Sequence, residues 1–341
     1  MFAQRNLVQA EPGPIIGPLS SFFGSILDFL YGIAYAITPT EAHTLGISII
    51  FLTFAARILT FPLTFKSQKS MQAMQKLQPE MERIKKKYEN QKDPESQKKM
   101  GQEINKLYSE NGANPIAGCL PLFIQFPIFM ALFYIMNQPY RFVSRLGFIY
   151  NQLADSIIGL LEMSGGYAMN HEVWYLVRDL SLPKIPDGMV LNLADYADLT
   201  KVLARFTPED WDVLINGLTP EAASLIEPVL NSKIATEYFF GITLVENVGL
   251  NFPALLIPVA CVIFTFLASY MSTKQQPKSD NPNMKMQQTM MLVVMPIMMG
   301  AITFGMPAGV GLYWSTSSAI QIAQQHLTSK YFKRSKADEV K

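Results

Sequence analysis

The chain has 341 residues, of which 49% are hydrophobic and 16% are charged, and its mean hydropathy is +0.16. These values are more apolar than those of an average soluble domain, so a lipid bilayer is the expected solvent. The formal net charge of +1 argues against a strong affinity for nucleic acid or anionic surfaces, and no specific nucleic-acid sequence is expected as a partner. Cys119 and Cys261 lie in apolar stretches and the three histidines lie far apart, so we predict no disulfide, metal or other cofactor.

The N-terminal region, 1–44, contains an apolar segment from Ile15 to Ile37. Its apolar residues recur at helical spacing, namely Leu19, Phe22, Phe23, Ile26, Leu27, Leu30 and Ala34. The other helical face carries Ser20, Ser21, Gly24, Ser25, Asp28 and Gly32. This pattern predicts an amphipathic helix in the extracytoplasmic membrane interface. A true membrane span or an uncleaved signal segment is the alternative.

Five segments are long and apolar enough to cross a bilayer, which takes roughly 20 residues at 1.5 Å per residue. The first three are 45–65, 116–137 and 252–271. The segment 290–325 is too long for one span, but Met306-Pro307-Ala308-Gly309 breaks it at its centre into a hairpin of two. The sequence therefore predicts an all-α membrane protein with five transmembrane helices.

Basic residues are distributed very unevenly between the loops. The segments 66–110, 272–288 and 330–341 hold 19 Lys and Arg residues in 74 positions, whereas 1–44 and 139–252 hold 8 in 158. Because positive loops stay on the cytoplasmic side, we predict that the loops 66–115 and 272–289 and the basic tail 326–341 are cytoplasmic. The N-terminus and the loop 138–251 are then extracytoplasmic.

The first cytoplasmic loop has the apolar pattern of a helical hairpin. Met74, Leu77, Met81, Ile84 and Tyr88 follow a 3-4-3-4 spacing, and Met100, Ile104 and Leu107 continue it after a break at Lys92-Asp93-Pro94. The hairpin is either a solvated loop whose lysines obey the charge rule or an arm that recruits substrates. In the second interpretation the contacts come from Met74, Met81, Lys85, Lys86 and Lys87.

The extracytoplasmic loop 138–251 contains two helix-start signals. Thr207-Pro208-Glu209-Asp210 and Thr219-Pro220-Glu221 each combine an N-cap residue, a proline and early acidic residues. With the apolar residues Trp211, Leu214, Ile215, Leu218, Leu225, Ile226 and Leu230 they predict a small helical insert around 169–235. It is either a solvated spacer or a module that docks a partner.

Arg57 lies near the middle of the first span, where an arginine costs at least about 2.5 to 3.5 kcal/mol. Its side chain either extends towards the cytoplasmic headgroups or lies in a hydrated cavity. The other spans hold no acidic residue, which excludes an ion pair with them and favours water. Candidate residues of the cavity wall are Thr53, Gln125, Tyr313, Ser317 and Gln321, although each alone is more typical of contacts between helices.

A cation in a hydrated recess would attract the acidic, polar flank of an incoming apolar helix and shorten the apolar path that the flank must cross. Partition of the apolar segment into lipid would drive this step. The scheme needs no nucleotide, and the sequence has no GxxxxGK[ST] phosphate loop.

Several segments resemble the YidC/Oxa/Alb family of membrane protein insertases. They are Ala55-Ala56-Arg57-Ile58-Leu59-Thr60-Phe61-Pro62-Leu63, Leu77-Gln78-Pro79-Glu80-Met81, Asn114-Pro115-Ile116-Ala117-Gly118-Cys119-Leu120-Pro121, Gln125-Phe126-Pro127-Ile128, and Gly311-Leu312-Tyr313-Trp314 with Gln321. The resemblance implies a multi-pass protein of the bacterial plasma membrane with a hydrophilic groove, Arg57 at its centre and Thr53 and Gln125 in its wall. It also implies nascent membrane proteins and lipid as partners, together with the Sec translocon, the ribosome and the signal recognition particle receptor. The large extracytoplasmic domain of Gram-negative members is absent, so the chain is more similar to the Gram-positive or organelle form.

Two other functions are open to a chain of this kind. A secondary transporter of a small solute also uses charges within the membrane, but no internal repeat is evident. An intramembrane hydrolase would need a base beside Ser315, Ser317 or Ser318, and His326 lies two to three helical turns away. We therefore expect an insertase with no catalytic residues, and the transporter is the alternative.

Overall fold

The computed structural model describes residues 13–38, 41–91, 93–114, 120–163, 171–184, 196–250, 252–274 and 282–339. Most of them are helical. Parts of the N-terminal region and of the insert, Lys92, and the motif residues 115–119 with Cys119 lie outside these ranges.

The first seven helices in chain order are α1 (Ile16–Ile37), α2 (Thr44–Lys76), α3 (Gln78–Lys87), α4 (Pro94–Glu110), α5 (Leu120–Asn137), α6 (Pro139–Phe142) and α7 (Ser144–Met163). The next are α8 (His171–Ser181), a short 3-10 helix (Leu182–Lys184), α9 (Tyr196–Leu203), α10 (Pro208–Asn216) and α11 (Pro220–Glu237). A two-stranded antiparallel hairpin follows, with β1 (Tyr238–Phe239) and β2 (Ile242–Thr243). The last elements are α12 (Leu256–Lys274), α13 (Pro282–Thr289), a π-helix (Met290–Val294), α14 (Met295–Phe304) and α15 (Ala308–Glu339).

The chain divides into two compact units. The first unit is formed by Met1–Leu52, Ile128–Ile257 and Thr303–Tyr313, and the second by Thr53–Pro127, Pro258–Ile302 and Trp314–Lys341.

Within the described ranges, three helices are long and apolar enough to cross a membrane: Ile16–Ile37, Thr44–Met74 and Leu256–Lys274. The last two coincide with the predicted first and third spans. Shorter apolar helices lie at Gln125–Asn137 and Met290–Phe304, within the predicted second and fourth spans. The chain is thus a mainly α-helical protein with membrane-spanning helices.

Several helix boundaries differ from the predicted ones. Helix α2 does not end at Phe65 but continues to Lys76, because Lys, Gln, Met and Ala residues extend it after the apolar segment. The break in the last apolar region lies at Gly305–Pro307, and α15 then runs without interruption to Glu339. The π-helix and the β-hairpin carry no sequence signal that we recognised.

One hydrophobic cluster of the first unit is formed by α7 together with the helices of the predicted insert. Its buried residues come from α7 to α11 and are Leu153, Ala154, Ile157, Leu160, Val173, Val177, Leu199, Val202, Leu203, Phe206, Trp211, Leu214, Ile226 and Leu230. Both predicted helix starts are confirmed, because the side chains of Thr207 and Thr219 accept hydrogen bonds from the backbone N–H groups of Asp210 and Ala222. Leu225, which the pattern assigned to the insert's apolar residues, is 49% exposed.

Helix α1 packs in the first unit through a face that mixes small and large residues. Ser20, Gly24, Phe23, Leu27 and Tyr31 are buried, whereas Phe22 is 54% exposed. A Cβ at Gly24 would lie 2.5 Å from the Phe142 ring, so only glycine permits this approach. The buried side of α1 therefore combines residues of its predicted apolar face with residues of its predicted polar face, because close packing against α6 and α7 requires small residues as well as apolar ones.

A buried ion pair on α11 is hydrogen-bonded to Tyr150 of α7. The Lys233 Nζ donates to Glu237 Oε2 at 2.8 Å, and the Tyr150 hydroxyl donates to Glu237 Oε1 at 2.7 Å. The Lys233 ammonium also lies 5.6 Å from the centre of the Tyr150 ring and 5.9 Å from the centre of the Trp211 ring. The side chains of Lys233 and Glu237 are 5% and 0% exposed, so each charge depends on the other for its stabilisation.

Removing one member of this pair should destabilise the insert strongly. We expect Glu237→Ala to lower the free energy of unfolding by about 3–5 kcal/mol, because it leaves the Lys233 ammonium buried without a counter-charge. Leu225→Ala on the same helix should change it by less than about 0.5 kcal/mol. Amide hydrogen exchange of α7 and α11 in the full-length chain in detergent measures both. Equal protection in the two variants would contradict the assigned role.

The loop after the β-hairpin contacts the turn before α15. The Ala308 N–H donates to the Glu246 carbonyl at 2.8 Å and the Gly309 N–H to the Leu244 carbonyl at 2.7 Å. Burial raises the pKa of the Glu246 carboxyl to about 7, an effect that Lys233 opposes and that Glu237 and Glu209 increase. The carboxyl therefore stays partly protonated near neutral pH.

This raised pKa predicts a stability that falls as pH rises. Between the ordinary glutamate value and about 7 the folded chain binds more protons than the unfolded chain, so stability falls across that window and is lowest above it. We expect the unfolding temperature in detergent to fall between pH 5 and pH 8, and Glu246→Gln to reduce that fall. The exposed control Glu221→Gln should keep the slope of the parent chain. An unchanged slope in Glu246→Gln would show that another group is responsible.

Candidate functional site

Arg57 lies on α2 between a buried and an exposed side of the helix. Thr53 and Ala56 are 0% and 5% exposed, while Ile58 and Leu59 are 71% and 68% exposed. Arg57 itself is partly buried. The apolar residues beside it are therefore the ones that face outward, as a lipid-spanning helix requires, and the arginine is directed away from them.

The guanidinium is held by two side chains of α15. Its Nε donates to Ser317 Oγ at 2.8 Å, and one terminal nitrogen donates to Gln321 Oε1 at 3.3 Å. Ser317 and Gln321 are four residues apart and therefore share a helix face. Both acceptors are neutral, so these bonds orient the guanidinium and lower its desolvation cost without cancelling its charge.

A second set of hydrogen bonds fixes the rotation of α15. The Trp314 Nε1 donates to Thr265 Oγ1 of α12 at 3.2 Å, and the Thr265 and Ser318 hydroxyls lie 3.3 Å apart. These side chains are all at least nine-tenths buried. Because Ser318 adjoins Ser317, its bond to α12 helps to turn the Ser317 hydroxyl towards Arg57. We did not predict Thr265, since one threonine in an apolar span is a weak signal.

The remaining predicted groove residues are placed less specifically. Thr53 is fully buried one turn before Arg57, and Gln125 is partly buried on α5 in the same unit. Tyr313 is 1% exposed and belongs to the first unit. The structure thus brings together Arg57, Ser317 and Gln321, while the roles of the other three in a groove wall stay predictions.

The serines considered for a hydrolase have structural partners. Ser317 accepts from Arg57, and Ser318 shares a hydrogen bond with Thr265. His326 is exposed. In the ranges that the structure covers, no group of three or more His, Cys, Asp and Glu side chains is arranged to hold a metal ion.

The loop predicted to be cytoplasmic contains two antiparallel helices, α3 and α4. The Tyr108 hydroxyl lies 2.9 Å from Met81 Sδ, and both Lys87 Nζ and the Tyr88 hydroxyl donate to Glu103 Oε1, at 2.7 and 2.9 Å. The hydrogen bond from Lys87, and next that from Tyr88, lowers the pKa of the Glu103 carboxyl.

These contacts divide the predicted recruitment residues. Met81 is 8% exposed and Lys87 is paired with Glu103, so both help to hold the hairpin. Met74 and Lys85 are partly buried, and Lys86 is exposed. Lys86 is therefore the member of the set that is best placed to meet a partner, while recruitment itself stays a prediction.

A family model and several curated proteins match this chain, and all of them are membrane proteins of one kind by name. The family model described as 60Kd inner membrane protein matches residues 37–336. Two proteins named membrane protein insertase YidC are each 28% identical to the chain. The one from Oceanobacillus iheyensis aligns over 308 residues, which are 89% of this chain and 82% of the relative. The one from Fusobacterium nucleatum aligns over 314 residues, which are 92% of this chain and 98% of the relative. A third, from Syntrophobacter fumaroxidans, is 25% identical over 85% of this chain but only 35% of the relative. The chain thus matches short relatives over nearly their whole length.

Proposed function

The chain belongs to the 60Kd inner membrane protein family, the YidC-type insertases of the bacterial inner membrane, and from this premise we propose how it inserts its substrates. The predicted resemblance to these insertases, in their short form, is confirmed. In the proposed mechanism, the polar flank of a nascent membrane protein enters a hydrophilic groove with a positive centre. The apolar segment then moves sideways into lipid while the flank crosses.

The contact between Arg57 and its two neutral acceptors carries this proposal. The hydrogen bonds to Ser317 and Gln321 support a guanidinium that stays inside the spanning region over one that extends towards the headgroups. In a groove of this kind, water is confined between protein and lipid, so the cation is screened less than a surface lysine and attracts an acidic flank more strongly. The arginine therefore supplies the groove with its attraction for substrate.

The free energy gained when an apolar segment enters lipid is large enough to move an acidic flank across the membrane without nucleotide hydrolysis. An acidic residue near the bilayer centre costs about 2.5–3.5 kcal/mol, and each Leu, Ile, Val or Phe that enters lipid returns about 0.3–0.6 kcal/mol. Roughly seven such residues thus offset one acidic residue in transit. The groove then only needs to lower the barrier, which it does by hydrating part of the path and by attracting the charge.

We propose the topology with five spans, an extracytoplasmic N-terminus and a cytoplasmic C-terminus. Two contacts of the N-terminal region support it. The Asp28 carboxylate of α1 accepts from the backbone N–H and the hydroxyl of Ser144, at the start of α7, and Glu41 pairs with Arg145. Ser144 lies seven residues after α5 ends. A charged residue in the middle of α1 therefore sits level with the loop that follows the second span, which favours an interfacial helix over a sixth span.

We also propose cytoplasmic partners on the basis of positive charge. Lys86, Lys98 and Lys99 are exposed, and the sequence of the tail 326–341 is basic, so these parts suit contact with the ribosome, the signal recognition particle receptor or the Sec translocon. A solute transporter has no observation in its favour beyond the intramembrane charge, which the insertase proposal already uses.

Substitution of Arg57 tests the mechanism in insertase-depleted cells. We expect Arg57→Lys to retain function, Arg57→Glu to abolish it, and Arg57→Ala to reduce insertion mainly of substrates with acidic translocated tails. The control Arg178→Ala removes a positive charge from the outer loop and should have little effect. Insertion is measured by protease protection of the substrate tail. Equal activity of the three Arg57 variants would refute the electrostatic role.

Thiol reactivity tests whether the groove holds water. In a chain with Cys119→Ala and Cys261→Ala, we expect Gln321→Cys to react with a membrane-impermeant maleimide added from the cytoplasmic side, because only a hydrated thiol ionises. Ile58→Cys, which is next to Arg57 and faces outward, should react at least about tenfold more slowly, since lipid excludes both water and reagent. Equal protection of both cysteines would mean that the site is dry.

A further inference from the structure

The segment from Tyr238 to Phe252 presents an unusual amount of apolar surface. Phe240, Leu250 and Phe252 are 74%, 81% and 79% exposed, and Tyr238 is 40% exposed. Single exposed apolar residues are common, but a group of large ones within fifteen positions marks a contact surface. We call Phe240, Leu250 and Phe252 the aromatic tip.

The β-hairpin that carries Phe240 is fastened to the start of α2. The His43 N–H donates to the Tyr238 carbonyl at 3.1 Å, and the Phe240 N–H donates to His43 Nδ1 at 3.3 Å. The rings of His43 and Phe240 are stacked with their centres 4.7 Å apart. A Cβ at Gly46 would lie 2.1 Å from the Phe239 ring, so this ring packs directly against the backbone of α2.

The same hairpin also contacts the residues that precede α12. A Cβ at Gly241 would lie 2.9 Å from Pro253 Cγ, and Pro253 directly follows Phe252. The two segments therefore meet at Gly241 and Pro253, which are the sequence neighbours of the exposed Phe240 and Phe252. Both segments stand at the beginning of a helix that is long and apolar enough to span a membrane.

The backbone of the hairpin is strained in a way that keeps Phe240 exposed. His43 and Phe240 have φ angles of 71° and 46°, in the left-handed region that bulky residues rarely adopt. Such strain persists only where the surrounding contacts enforce it. Here the stacked rings and the two hydrogen bonds of His43 enforce it, and the ring stays outside the core.

Charge is absent from the exposed part of this segment. From Tyr238 to Phe252 the single charged residue in the sequence is Glu246, which is partly buried. Its carboxyl lies within electrostatic range of Lys233 and Glu237 in the interior. The surface that remains is apolar and aromatic, as is typical of residues at a membrane interface.

We propose that the aromatic tip inserts into the outer leaflet of the bilayer and anchors the extracytoplasmic insert to the lipid surface. This proposal rests on the topology of the proposed function, in which α2 enters the membrane at Thr44. Thr44 is 13 residues before Arg57, which is about 20 Å along the helix, compared with about 15 Å from the bilayer centre to its hydrocarbon boundary. Phe240, stacked on His43, therefore lies at the level of the headgroups and can reach the acyl boundary.

Spin labels on the full-length chain in liposomes test the proposal. Single cysteines at positions 240, 225 and 58 would be labelled in the chain with Cys119→Ala and Cys261→Ala, and accessibility to oxygen and to a water-soluble nickel chelate would be measured. Leu225 is a matched control, because it is an exposed apolar residue on α11 that precedes Phe240 by 15 residues. We expect the ratio of oxygen to nickel accessibility to be severalfold higher at 240 than at 225, with a depth of about 5–10 Å below the headgroup surface.

The label at Ile58 separates this inference from the proposed function. Lipid exposure at both 58 and 240 supports the anchor. Lipid exposure at 58 with nickel access at 240 equal to that at 225 overturns the anchor and leaves the insertase topology intact. If the label at 240 is shielded from both reagents, a protein surface covers the tip and the lipid assignment is wrong. If Ile58 is not in lipid, the topology itself fails.

A second measurement uses substitution of the tip. A Phe240→Asp variant should raise the fraction of insert amides that exchange in liposomes, and Leu225→Asp should not.

Discussion

The structure depends on keeping Arg57 charged within a membrane-spanning helix that has one side exposed to lipid and one side buried. The cost of Arg57 near the bilayer centre, at least about 2.5–3.5 kcal/mol, must be offset by hydrogen bonds and hydration. Ser317 and Gln321 provide the hydrogen bonds without adding negative charge. An aspartate or glutamate at either position would stabilise the arginine better, but it would also remove the attraction for acidic substrate flanks. Neutral acceptors are therefore the chemistry expected where the charge must act on something else.

This arrangement needs a rigid frame, and much of that frame is outside the site. Trp314 and Ser318 tie α15 to Thr265 of α12, which fixes the face that α15 presents. In the first unit, the loop around Glu246 holds the turn before α15 through backbone hydrogen bonds. The first turns of α15 and the face around Trp314 and Ser318 are thus restrained by contacts that have no direct role in binding substrate.

The sequence predicts the mainly helical, membrane-spanning character of this chain, for a physical reason. The length of an apolar segment is a property of about twenty residues, so a single exception such as Arg57 does not change it. The caps at Thr207 and Thr219 were predictable because their hydrogen bonds are local. Arg57 was identified because a charge in an apolar span is rare.

What the sequence does not predict are features that depend on contacts between distant segments. The mixed face of α1 follows from Gly24 meeting Phe142, and the β-hairpin depends on His43 meeting Phe240, 197 residues apart. The contacts of Met81 with Tyr108 and of Lys87 with Glu103 were likewise not predictable, because these partners lie on the other helix of the hairpin. The second unit contains the hairpin of α3 and α4 together with Thr53, Arg57, Gln125, Ser317 and Gln321, whereas Tyr313 belongs to the first unit. These polar groove candidates and the predicted cytoplasmic arm are thus parts of one compact unit, as the proposed transfer of substrate from the arm to Arg57 requires.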